Sequence, residues 1–106
     1  MQYKIQLKTL RITVPGDILS TGVRDLRAQL QAILETPDAV QSGWQTLELD
    51  LTNAKMIDSM GLNLLVGVLK QVKERGGKMR LDIRDANLDR LLRFTRIHEH
   101  VEVVRA

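Results

Sequence analysis

The residue with the most chemical scope in this sequence is Ser59, in the run Met56-Ile57-Asp58-Ser59-Met60-Gly61. Leu62, Leu65, Val66, Leu69 and Val72 follow it at three-and-four spacing, so the serine stands where a tight turn opens into a helix. A serine at such a point has two uses. Its hydroxyl can cap the helix by accepting a hydrogen bond from a first-turn N–H. The same unpaired N–H groups and positive dipole end also suit a phosphate, so the oxygen could carry a phosphoryl group without unfolding the turn. That group adds ~1.5 to 2 negative charges beside Asp58, which opposes any partner that docks on the neutral face. Gly61, lacking a Cβ, permits the tight turn and close approach by another protein. Met60 offers a flexible thioether either to the core or to a partner.

Other clusters carry less. Glu48 and Asp50 are paired carboxylates, but no base, nucleophile or metal ligand lies near them in the sequence, and they read as the solvated face of a strand. His98 and His100 are expected to share a strand face with Glu102, without the fixed spacing or supporting ligands of a metal site. Arg90, Arg93 and Arg96 form a basic helix face, either solvated or the charged rim of an interface. No histidine, lysine or metal cluster is arranged around Ser59, and no glycine loop cradles a phosphate, so the chain is not read as an enzyme.

The elements that position these residues follow from hydrophobic period. Tyr3, Ile5 and Leu7 alternate with polar residues, the phase slips, and Leu10, Ile12 and Val14 alternate again before Pro15-Gly16; a short hairpin around Lys8-Thr9 accounts for the slip. Ser20 or Thr21 is then expected to cap a helix carrying Val23, Leu26, Leu30, Ile33 and Leu34 on one stripe. Thr36-Pro37 should end it, leaving residues 36–46 as a loop in which Trp44 covers a core edge. Leu47-Glu48-Leu49-Asp50-Leu51 is a half-buried strand. The helix after Ser59, with Leu62, Leu65, Val66 and Leu69 in the core, ends at Arg75-Gly76-Gly77 with a left-handed glycine. Met79, Leu81 and Ile83 make a further strand, Asp85 or Asn87 caps a third helix, and Val101, Val103 and Val104 close the chain as a strand. The predicted order is β-β-α-β-α-β-α-β, an α/β fold with right-handed crossovers and a largely parallel inner sheet.

Composition narrows the function. The 106 residues, 43% hydrophobic with three aromatics, suit one aliphatic domain spanning 1–106. No cysteine is present, so thiolate metal sites, disulfides and a cysteine nucleophile are all excluded. Sixteen basic and thirteen acidic residues are interspersed, which argues against nucleic-acid binding, where a one-signed stripe with stacking aromatics is wanted. No segment approaches the ~20 apolar residues that span a bilayer, so no direct membrane insertion and a cytoplasmic setting are expected.

The run Asp50 to Leu62 resembles the signature of STAS domains, the family of bacterial anti-sigma factor antagonists. Gly16-Asp17-Ile18 before a helix, Arg75-Gly76-Gly77-Lys78-Met79 opening a strand and Leu91-Leu92-Arg93-Phe94-Thr95-Arg96-Ile97 near the end keep the family's order, so the resemblance spans nearly the whole chain. It implies a single STAS-like domain, with a mixed β-sheet and packed helices, working as a partner switch. In similar proteins the serine after the aspartate is phosphorylated by a serine kinase that is also the anti-sigma factor; carried over, that acceptor is Ser59. Asp58, Met60 and Gly61 would form the turn and partner surface, with Ser20 and Thr21 beside it. The unphosphorylated domain would bind the kinase and free the sigma factor, and a PP2C-type phosphatase would reset it. ATP and metal belong to those partners, so no cofactor is implied for this chain. Other members serve as constitutive scaffolds in lipid-transport, stress-sensing or chemosensory assemblies. The chain departs from the usual pattern at Leu19, where a polar or acidic residue is common, and at Asn63, where Gly-Leu-Gly has glycine.

Overall fold

Three strands with the same alternation set the architecture. In the computed structural model, which describes all residues Met1–Ala106, β2 (Thr9–Thr13), β3 (Thr46–Asp50) and β4 (Lys78–Ile83) lie side by side and parallel. β5 (Glu102–Arg105) joins β4 in parallel, and β1 (Gln2–Gln6) pairs with β2 antiparallel, giving the order β1-β2-β3-β4-β5. Between them run α1 (Val23–Leu34), α2 (Pro37–Ser42), α3 (Ser59–Glu74) and α4 (Ala86–Phe94). Each crossover from β2 to β5 steps in the same direction, and right-handed connections then place all the crossover helices on one face of the sheet.

The side chains agree with that geometry. Leu10, Ile12, Leu47, Leu49, Leu81 and Ile83 are fully buried under the helices. The alternate residues form the other face, which no helix covers. There Arg11 reaches Asp82 (2.7 Å), Glu48 (3.2 Å) and Asp50 (3.3 Å), while Arg80 reaches Asp82 (2.7 Å) and Glu48 (3.2 Å). Glu48 and Asp50 are therefore tied into an ionic lattice across three strands and are not a freely solvated pair. Asp82 is the buried charged residue of the chain, at 8% exposure. Burial alone pushes the Asp50 carboxyl up, but the Thr52 hydroxyl and N–H, with Arg11, outweigh it and leave it below its ordinary value.

Several local expectations are corrected. The hairpin turns at Leu7-Lys8, one residue earlier than expected, and Leu7 does not join Tyr3 and Ile5 but stands 91% exposed at φ 57°. Helix α1 starts after Gly22 with no side-chain cap, so neither Ser20 nor Thr21 caps it. Residues 36–46 contain α2: the Thr36 hydroxyl accepts from Ala39 N–H, Pro37 occupies the first turn, and Gly43 ends it at φ 65°. The proline that stops α1 starts the next helix, because its missing N–H is no loss in a first turn. Trp44 lies within the core, with the Arg75 guanidinium 3.6 Å from its ring centroid. In α3 the buried stripe is Leu64, Leu65, Val68 and Val72, while Leu62, Val66 and Leu69 are only partly covered. Gly76 does adopt the left-handed conformation (φ 75°) just past α3, and Asp85 does cap α4, accepting from Asn87 and Leu88 N–H.

Candidate functional site

The site is built where the chain leaves β3 and enters α3, against the loop that leads from β2 to α1. Two carboxylates join these segments. Asp17 Oδ1 accepts from the N–H groups of Lys55 (2.7 Å) and Met56 (3.1 Å). Between them runs one rung of strand-like pairing: Ile18 N–H donates to Met56 O (3.1 Å) and Asp58 N–H donates to Ile18 O (3.2 Å). Asp58 then caps α3, its Oδ1 accepting from Gly61 N–H (2.9 Å) and its Oδ2 from Ser20 N–H (2.7 Å). These donors, the Ser20 N–H first and the Gly61 N–H next, hold the Asp58 carboxyl below its ordinary value.

Gly61 is required by contact. A Cβ there would lie 2.2 Å from the Ile18 carbonyl oxygen and 2.8 Å from Ile57 Cγ2, so only glycine lets α3 start this close to the Ile18 loop.

With Asp58 as the cap, Ser59 is the first residue of α3 and its hydroxyl takes no part in capping. The side chain is exposed. Met56 (59% exposed) and Met60 (43% exposed) flank it, and Ser20 and Thr21 are exposed on the adjoining loop. Asp58, Ser59, Met60, Gly61, Ser20 and Thr21 thus belong to one neighbourhood, with Gly61 buried beneath it. Sequence reasoning assigned no structural role to Asp17 and Ile18. The signal was a carboxylate just after Pro15-Gly16, but its acceptor bonds reach 38 and 39 residues along the chain, beyond any local rule.

The remaining candidates lie elsewhere. His98 sits in a 3-10 turn, Ile97–Glu99, with Nδ1 3.3 Å from Leu92 O, and His100 follows it, so the two do not share a strand face with Glu102. No group of three His, Asp or Glu side chains is placed to hold a metal ion. Arg93 pairs with Asp89 (3.1 Å), Arg96 with Glu99 (3.9 Å), and Arg90 with the Asn87 side chain. No helix is long and apolar enough to cross a membrane.

A mixed sheet, four strands parallel and the β1 edge antiparallel, with helices on one face and an exposed serine opening a helix at the carboxyl end of the parallel strands, defines a small α/β domain. The family model described as Mlab, STAS domain, matches residues 1–105, and the chain belongs to the STAS domain family. Solved structures agree on the fold. A putative anti-sigma factor antagonist from Thermotoga maritima superposes with a TM-score of 0.80 at 20% identity, over 99% of this chain and 86% of that one. An anti-sigma factor antagonist from Mycobacterium paratuberculosis gives 0.77 at 16% identity, over 97% and 82%. The phosphorylated form of the Bacillus cell fate determinant SpoIIAA gives 0.68 at 17% identity, over 99% and 89%.

Proposed function

We propose that this chain is a phosphorylation-controlled antagonist of an anti-sigma factor. Unphosphorylated, it binds a serine kinase that doubles as the anti-sigma factor; phosphorylated on Ser59, it lets go. The observation that carries this reading is the unspent Ser59 hydroxyl: exposed, first in α3, and relieved of capping by Asp58. The kinase transfers the γ-phosphoryl of ATP to Ser59 Oγ, ADP leaves and the hydroxyl proton is released. The product is a dianion next to Asp58 and Met60 in the chain, so an exposed stretch that offered two thioethers, at Met56 and Met60, and a neutral hydroxyl becomes strongly acidic. The positive end of the α3 dipole tolerates the new charge, so the switch works through surface chemistry with the fold intact. A PP2C-type phosphatase resets the serine, the chain itself is a substrate and binding module, and the setting is the cytoplasm. The likeness to anti-sigma factor antagonists, among them SpoIIAA, whose structure is also known in a phosphorylated form, supports this reading.

The test is intact mass and site mapping after incubation with the cognate kinase and ATP, followed by kinase pull-down with wild type, Ser59→Ala and Ser59→Asp. One phosphoryl group on Ser59, retained binding by Ser59→Ala and lost binding by Ser59→Asp are expected. Modification at another residue, or equal capture of all three proteins, would refute the switch and leave a constitutive scaffold.

A further inference from the structure

The free side of β1 is set by its pairing with β2. Val14 N–H donates to Asp50 O (3.0 Å) and the Lys8 carbonyl accepts from Thr46 N–H (3.1 Å), so even-numbered residues along β2 bond to β3 and odd-numbered ones face β1. The register Gln2 to Thr13, Lys4 to Arg11 and Gln6 to Thr9 then contains the hydrogen-bonded pairs. Tyr3 and Ile5 turn their N–H and C=O groups outward, where the sheet has no further strand.

Each face of this edge carries a hollow. On the helix side an open one of about 570 Å³ lies between β1 and α2, lined by Tyr3, Lys4, Ile5, Asp38, Gln41 and Ser42. On the bare side a shallow one of about 280 Å³ is lined by Lys4, Gln6, Leu7, Thr9, Arg11 and Glu48. A strand sends alternate side chains to opposite faces, so one added beside β1 would seat them in both hollows.

Charge selects the occupant. Lys4, Lys8 and Arg11 are the charged side chains before Asp17 in the chain, while Asp38 lines the helix-side hollow and Glu48, paired with Arg11, the bare one. Arg11 is already bound by Glu48, Asp50 and Asp82, whereas Lys4 has no ion-pair partner. Along the outer face the register aligns Lys4, Arg11, Glu48, Arg80 and Glu102, a row that alternates in sign until two cations meet at Lys4. A carboxylate on the next strand restores the alternation. A second copy of β1 brings only another lysine, and like charges across strands repel.

We infer that the β1 edge docks an extended, acidic segment of a partner protein as a sixth strand. Its Asp or Glu side chains lie beside Lys4 on the bare face, and its apolar side chains lie against Tyr3 and Ile5. Main-chain hydrogen bonds supply affinity and the two hollows supply specificity. The site uses no residue of the Ser59 neighbourhood, so it stands apart from the proposed switch.

The experiment titrates the isotope-labelled full chain with an eight-residue peptide alternating Val and Glu, and with its counterpart carrying Lys for Glu. The Glu peptide should slow amide exchange at Tyr3 and Ile5, and the Lys peptide should bind about tenfold more weakly. Lys4→Glu, with its fold checked by circular dichroism, should reverse that preference, and Lys4→Gln should shrink it. The inference is overturned by unchanged exchange at millimolar peptide, by equal affinity for both peptides, by shifts centred on the start of α3, or by self-association that protects the same amides without peptide.

Discussion

Gly61 and Asp58 between them fix where the Ser59 hydroxyl stands. Gly61→Ala drives a methyl group into the Ile18 carbonyl at 2.2 Å, and the helix or the loop must retreat. We expect a loss of about 1–3 kcal/mol in urea unfolding, with Ser20 and Ser59 displaced relative to each other. Asp58 adds a dependence on acid. Its folded carboxyl titrates below the ordinary value of 3.8, so the folded form binds the proton less readily than the unfolded chain does. The bonds it accepts are therefore fully present above that value and are lost as pH falls through the lower, folded one. The Ser20 and Gly61 amide resonances should move together in this acid range; independent titration would show that one carboxylate does not hold both.

At the level of strands and helices, the uncovered sheet face depends on ion pairs. Arg11→Met strips Asp82 and Glu48 of a shared cation, and since the guanidinium is one-third exposed the expected loss is about 1 kcal/mol, shrinking in high salt. A measured loss that ignores salt would mean that the arginine acts through packing alone. How much of this was legible in the sequence depends on how far apart the partners lie. Leu47 to Leu51 announces a half-covered strand by its own alternation, and Asp58-Ser59-Met60-Gly61 announces a strand-to-helix turn. Local spacing also placed Ser59 at the opening of the helix, although it could not say that the neighbouring aspartate takes the cap. The Arg11–Asp82 contact joins residues 71 apart and exists only once the register of three strands is known. Thr36-Pro37 misled for a different reason. The same dipeptide ends one helix and begins another, and the sequence distance to Gly43 was too short to show a second period.

For the molecule as a whole, strand direction decides what lies near what. β2 to β5 run parallel, so the chain leaves β3 for Ser59 at the end of the sheet where β5 also finishes. β1 runs opposite to β2, with Gln2 beside Thr13, so Met1 comes out at that end too. Arg75-Gly76-Gly77 bends at the other end, where α3 turns back into β4. Fusing a bulky protein to either terminus should slow phosphorylation of Ser59 and weaken capture by the kinase, whereas a short insertion at Gly76 should leave both near wild type. Equal rates for the two fusions and the insertion would contradict this layout. Met1 and Ala106 thus leave the two outer strands at the end of the sheet where Ser59 opens α3, and a module joined at either would, on the proposed reading, stand on the side from which a kinase approaches, like a doorkeeper.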